Sequence, residues 1–231
     1  MRTLGLIGGM TWHSTADYYR LINTGVQERL GGSHSADLLL LSIDFEPIED
    51  MQGRGDWAGM GKLMGEWARR LEAAGAEGLV ICANTMHRLA ESVAGAVSIP
   101  LIHIADATAG AITKKRLATV GLLGTRYTME LDFYRGRLEK AHGLKVLIPE
   151  EPGRTLVHDV IYHELAHGTV LDASRRAYVA VIEDLKRRGA EGVILGCTEI
   201  PLLIKAADSP IPVFDTTALH AAAAVEFALS R

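Results

Sequence analysis

Thiols are scarce in this sequence. Cys82 and Cys197 are the two cysteines in 231 residues, which excludes a disulfide framework and leaves each as a small buried hydrophobe or as chemistry. A basic excess is also missing. The formal charge is −4, so the chain has no electrostatic footprint for nucleic acid. Its basic runs, Arg69-Arg70, Lys114-Lys115-Arg116 and Lys186-Arg187-Arg188, are short, and two of them close helical stretches, where cations suit the dipole. No apolar run approaches the roughly 18 residues of a membrane span, and Met1-Arg2-Thr3 leads straight into a strand with no apolar leader, so a cytoplasmic protein without membrane contact is expected. No Pro/Ser-rich linker divides the chain. With 48% hydrophobic and 23% charged residues, disorder and fibrous structure are excluded as well.

What is present alternates between strand and helix patterns. Leu4 to Ile7 is a short apolar run closed by Gly8-Gly9. Ser14-x-x-Asp17 has the form of a helix cap before Tyr18, Leu21, Ile22 and Val26. Leu38 to Ile43 reads as a strand buried on both faces. Trp57, Met60, Met64, Trp67 and Leu71 share one helix face, which Gly75 ends. Leu79 to Ala83 is again a buried strand. This rhythm predicts an α/β fold with parallel sheets and helices on both faces.

The chain also repeats itself. Leu4-Gly5-Leu6-Ile7-Gly8 matches Val120-Gly121-Leu122-Leu123-Gly124. Gly75-Ala76-Glu77-Gly78 recurs as Gly189-Ala190-Glu191-Gly192, and Ile99-Pro100-Leu101-Ile102 as Ile211-Pro212-Val213-Phe214. The order is kept and the offset is about half the chain, which predicts two pseudosymmetric halves, 1–112 and 116–214, with a C-terminal helix over about 216–231 packing back on the first. Ligands of such doubly wound sheets bind at the carboxyl ends of the strands, here expected in a cleft shared by the two halves.

Each half carries a strand that ends in a small polar cluster, Cys82-Ala83-Asn84-Thr85 and Gly196-Cys197-Thr198-Glu199. A thiol at a helix N-terminus is expected to have a lowered pKa, and backbone N–H groups there can hold a carboxylate. The repeat pairs Gly78 with Gly192, hence Ala83 with Cys197 and Cys82 with Gly196. A one-residue shift on a strand turns a side chain to the opposite face, so Cys82 is expected in the sheet packing and Cys197 in the cleft.

The motifs Gly5-Leu6-Ile7-Gly8-Gly9-Met10-Thr11-Trp12, Asn84-Thr85-Met86-His87, His103-Ile104-Ala105-Asp106-Ala107-Thr108, Gly124-Thr125-Arg126-Tyr127-Thr128-Met129 and Gly196-Cys197-Thr198-Glu199-Ile200 resemble the aspartate/glutamate racemase family, nearest its L-Asp/Glu and broad-specificity branch. The resemblance runs from Leu4 to about His220. It implies a cofactor-independent amino-acid racemase acting on Asp/Glu-like small molecules, without PLP or metal, and a homodimer. By position it implies Cys197 as acid/base, with Met10, Gln52, Ala83, Asn84, Thr85, Thr125, Tyr127, Thr128, Thr198 and Glu199 around the substrate. The departure is Ala83, which stands where the family has its first thiol, or threonine in the L-specific branch. With one thiol in the cleft, racemisation with water or Cys82 as a weak second acid, proton exchange without inversion, decarboxylation, and amino-acid binding without catalysis remain open.

His163-Glu164-Leu165-Ala166-His167 spells a helical zinc-hydrolase motif, with both imidazoles on one face and Glu164 as general base; a third ligand would have to be Glu183 or Glu191, neither in a recognisable motif, so a solvated or helix-end histidine pair is the expected reading. Glu164 corresponds to a cleft-adjacent position where aspartate-preferring members of the family carry a basic residue, which argues against strict aspartate preference. Gly5-x-x-Gly8-Gly9 is not a dinucleotide fingerprint; it suits close approach of a small ligand to backbone. His87 and His103 read as internally satisfied histidines, and Asp44 and Asp215 as helix caps.

Overall fold

The computed structural model describes residues 1–230. In chain order its elements are β1 (Leu4–Gly8), α1 (Trp12–Leu30), β2 (Leu38–Ser42), α2 (Glu46–Gly53), α3 (Trp57–Ala73), β3 (Gly78–Ile81), α4 (Ala90–Ala94), β4 (Leu101–Ile102) and α5 (Ile104–Lys114). They continue with β5 (Thr119–Gly124), α6 (Arg126–Glu130), α7 (Asp132–His142), β6 (Lys145–Leu147), α8 (Gly153–His163), α9 (Asp172–Arg187), β7 (Gly192–Gly196), α10 (Ile200–Leu203), β8 (Val213–Asp215) and α11 (Thr216–Leu229). Single 3-10 turns lie at Thr85–Leu89, Leu165–His167 and Ala206–Asp208.

The chain divides into two compact units, residues 1–103 with 220–230, and residues 104–219. Each is a doubly wound α/β unit built on a four-stranded parallel sheet, in the orders β2-β1-β3-β4 and β6-β5-β7-β8. In the first, the pleat sends Ile7, Leu79 and Ile81 to a layer with Met60, Met64, Trp67 and Leu71 of α3. It sends Leu4, Leu6 and Val80 to a layer with Tyr18, Ile22 and Val26 of α1 and Ala221, Ala224 and Val225 of α11. In the second, Leu123, Val193 and Leu195 meet α8 and α9, while Val120, Leu122 and Ile194 meet α5 and α7. Period-two alternation thus fills both faces of each sheet with apolar side chains.

Three local expectations are corrected. The first helix begins earlier than Ser14, because the Thr11 side chain accepts the Ser14 N–H and so caps the helix at Trp12. Strand β2 is an edge strand rather than a fully buried one, and Leu40 is 47% exposed. The sequence boundary at 112–116 also differs from the observed division. Ile104, Ala105, Ala109 and Ile112 of α5 pack on the second sheet, so this helix follows β4 in the chain yet belongs to the second unit. The C-terminal helix does the reverse. It starts in the second unit, where Asp215 Oδ1 accepts the N–H groups of Thr217 and Ala218, and from His220 onward it belongs to the first. Among the described residues, no helix is long and apolar enough to cross a membrane.

His220 anchors that helix in the first unit. Its Nε2–H donates to the Ile102 carbonyl at 2.7 Å, which leaves Nδ1 to accept the Tyr18 hydroxyl at 2.7 Å. Burial lowers the His220 pKa to about 4, the Ile102 bond pulling weakly the other way. A neutral buried imidazole contributes its full stability above the unfolded pKa of about 6.5 and loses it as pH falls toward the folded value, about 3 kcal/mol in all. We therefore expect the urea midpoint to fall between pH 7 and pH 4, and His220→Gln to flatten that slope while lowering stability at pH 7. Equal slopes for the two proteins would contradict a neutral buried His220.

Candidate functional site

In each sheet the chain leaves the two inner strands in opposite directions, β1 toward β2 and β3 toward β4, β5 toward β6 and β7 toward β8. The carboxyl ends of these inner strands are where open α/β sheets leave a crevice for ligands. The residues there are Gly8-Gly9-Met10 and Cys82-Ala83-Asn84 in the first unit, and Thr125 and Cys197-Thr198-Glu199 in the second.

The register settles the frame of the cysteines. Ile7 pairs with Ile81 and Leu123 with Leu195, so Ala83 takes the position equivalent to Cys197, and Cys82 that of Gly196. Ala83 lies in the α3-side cluster and Cys197 in the cluster under α8 and α9, both two residues on from a strand residue of the same face. Cys82 lies on the opposite face, wholly buried among Leu6, Val80, Tyr18 and Val225, and that burial pushes its thiol far above the usual range. At Gly196 a side chain has no room: a Cβ would sit 2.8 Å from the Leu123 carbonyl oxygen.

In the first unit, Gly9 makes the turn after β1 at φ 96°. Its N–H donates to Thr15 Oγ1 at 2.8 Å, and Ser14 Oγ donates to the Cys82 carbonyl at 2.9 Å. Ser14 and Thr15 therefore tie the two strand ends together, a role visible in the sequence only once Thr11 is known to be the cap. Met10, Gln52, Ala83 and Asn84 are buried and Thr85 is half-buried. His87 donates Nδ1–H to the Ala83 carbonyl at 2.8 Å and packs edge-on to His103, ring centres 4.7 Å apart; the reading of both as internally satisfied agrees with this. Asp44 sits at the start of α2, with the Glu46 N–H 3.4 Å from its Oδ1.

In the second unit, Thr125 caps α6, its Oγ1 accepting the Thr128 N–H at 3.3 Å. Thr128 is fully buried, and its side chain would lie 3.0 Å from a Cβ on Gly124 and 3.2 Å from one on Gly196; its hydroxyl is 3.3 Å from that of Thr125. Its place is beneath Thr125, as a support. Tyr127 is half-buried beside it.

Cys197 is 8% exposed. Its thiol donates to Glu199 Oε2 at 2.9 Å, and the Thr198 hydroxyl donates to the same oxygen at 2.7 Å. The expected lowering of the thiol pKa is overturned. Desolvation first, then the charge of Glu199 and the bond to it, raise Cys197 well above the ordinary value, and the backbone N–H groups of Glu199 and Thr198 only partly offset this. The helix that follows is four residues long with Pro201 near its start, so little dipole acts on the sulfur.

The zinc motif loses its geometry. Helix α8 ends at His163; Glu164 has φ −122° and ψ −68°, and a 3-10 turn carries Leu165 to His167. Histidines four apart share a face only on an unbroken α-helix, and here both rings lie on exposed residues.

The family description Asp/Glu/Hydantoin racemase matches residues 7–224. The chain is 24% identical over 223 residues to the broad specificity amino-acid racemase RacX of Bacillus subtilis (strain 168), covering 96% of both chains. It superposes with TM-score 0.96 and 51% identity on a solved structure from Yersinia pestis described as a candidate Asp/Glu racemase. With 0.86 and 36% it superposes on an aspartate racemase homologue from Pyrococcus horikoshii OT3, the whole of both chains being covered in each case.

One thiol should answer to alkylating reagents. We expect iodoacetamide to modify Cys197 slowly at pH 7 and about tenfold faster per pH unit above it, since only thiolate reacts, while Cys82 stays unmodified in the native protein. Glu199→Gln removes the charge that raises the thiol and should speed modification at pH 8. Peptide mass mapping reads both outcomes; slower modification of the variant would contradict the charge effect.

Proposed function

The chain belongs to the Asp/Glu/Hydantoin racemase family, and from that premise we propose that it is an isomerase, a cofactor-independent amino-acid racemase in which Cys197 is the acid/base at Cα. The observation that carries the proposal is the buried thiol at the end of an inner strand with its proton directed at Glu199 Oε2. Glu199 takes the thiol proton, and the thiolate then takes the Cα proton. The electron pair of the broken C–H bond moves into the substrate carboxylate, giving an enediolate. Donors of Asn84, Thr85 and Thr198 stabilise its oxygens, and Met10, Gln52, Thr125 and Tyr127 complete the surroundings, with Thr128 beneath Thr125.

A proton returned by Cys197 regenerates the starting enantiomer; inversion needs a donor on the other face of Cα. Ala83 has no proton to give. Cys82 does not suit the task, because it is buried on the wrong face of the strand with its thiol far above the titration range. Water on the Ala83 side is then the donor, and exchange outruns inversion. The single presented thiol also suits a decarboxylation, in which loss of CO2 from a malonate leaves the same enediolate and Cys197 protonates it; CO2 release would mark that reaction. A homodimer is proposed on the family resemblance.

Proton NMR in D2O with L- and D-amino acids separates Cα exchange from inversion. We expect exchange faster than inversion in the wild type and neither in Cys197→Ala. Ala83→Cys should raise the inversion-to-exchange ratio about 100-fold, the usual worth of a placed general acid. Full activity in Cys197→Ala would overturn the mechanism.

A further inference from the structure

The outer strand of the first sheet has an open edge. The other three sheet edges are blunted: β4 is two residues long, β6 and β8 are three each, and β6 opens on exposed Lys145. Short or charged edges do not template another chain. Strand β2 has neither safeguard. It runs five residues, Leu38-Leu39-Leu40-Leu41-Ser42, without Lys, Pro or Gly. The Ile43 N–H donates to the Gly8 carbonyl and the Asp37 carbonyl accepts the Leu4 N–H, so the odd-numbered residues along this strand turn their backbone groups toward β1. The N–H and C=O groups of Leu38, Leu40 and Ser42 therefore point outward, and among the described residues nothing hydrogen-bonds to them.

An apolar patch continues this edge on the α1 side of the sheet. A Cβ on Gly8 would meet both Thr15 and Leu40, so Leu40 lies beside Thr15 of α1. Trp12 and Tyr19 stand one turn before and one turn after Thr15 on that face of the helix. Trp12, Tyr19 and Leu40 are 64%, 55% and 47% exposed. Together they present roughly 350 Å² of mainly apolar surface, a large part of the approximately 800 Å² per partner that a stable interface buries. The strand edge adds to it.

We propose that β2 pairs antiparallel with β2 of a second copy of this chain, on a two-fold axis through Leu40, and so joins two sheets into one. A two-fold axis demands a self-complementary surface, and this edge is one. Leu40 exchanges both backbone hydrogen bonds with the partner's Leu40, Leu38 with the partner's Ser42, and Ser42 with the partner's Leu38. Every outward donor meets an acceptor, and the two apolar patches meet along the same axis. The proposal rests on the homodimer reading above and gives it a surface.

Sedimentation and light scattering at micromolar protein test it. We expect the wild type at twice the 24.9 kDa chain mass. Leu40→Lys sets two ammonium groups face to face and should raise the dimer dissociation constant about 100-fold. Leu40→Pro removes an N–H that the protomer itself does not use, so it should weaken the dimer while circular dichroism stays that of the wild type. Leu40→Cys places two thiols on residues whose Cα atoms lie about 5.5 Å apart, within disulfide reach. Mild oxidation should then give a covalent dimer on non-reducing gels in this variant and not in the wild type. A monomeric wild type would overturn both the proposal and the homodimer reading. A dimer that survives Leu40→Lys and Leu40→Pro, and is not cross-linked in Leu40→Cys, would overturn the β2 face alone.

Discussion

The parallel pairing of two inner strands in each unit is the constraint on which everything else in this chain depends. Ile7 against Ile81, and Leu123 against Leu195, set the phase of the pleat. That phase assigns every following side chain to one helix layer or the other. Residues two positions on, Ala83 and Cys197, share the face of their strand partners, while the residue between is delivered to the opposite layer. Cys82 is therefore packed with Leu6 and Val80, and for the same geometric reason Cys197 goes to the layer of α8 and α9. A side-chain period of two leaves no intermediate choice.

Electrostatics around Cys197 follows from where that strand ends. The sulfur is largely removed from water, and the nearest charge is negative, so the resting thiol holds its proton. The hydrogen bond to Glu199 gives that proton a defined direction. Desolvation and an adjacent carboxylate outweigh two backbone N–H groups because the helix behind them is a single turn.

Much of this was legible in the sequence, and the parts that were not share a cause. The repeat of Gly78 at Gly192, with its offset carried to Ala83 and Cys197, matched Ala83 with Cys197 as the strand register does, because register is a local property. The 3-4 spacing of Trp57, Met60, Met64 and Leu71 marked α3 for the same reason. Readings failed where distant residues decide. Leu38 to Ile43 looked buried on both faces, but the order of strands put it at an edge. The thiol of Cys197 looked acidified by a helix N-terminus, but burial and Glu199 raise it. Ser14 looked like a cap, but Thr11 takes that role and frees Ser14 to reach the Cys82 carbonyl.

By itself, the sequence determined the α/β rhythm, the two related sheets, the frame that separates Cys82 from Cys197, and the family. These are encoded in periodicity and spacing along the chain. Only the tertiary structure decided the partition of α5 and α11 between the units, because a helix goes to whichever apolar layer it completes. Only the tertiary structure decided the state of the thiol, because desolvation and the reach of Glu199 Oε2 depend on what surrounds the strand end and not on the order of its residues.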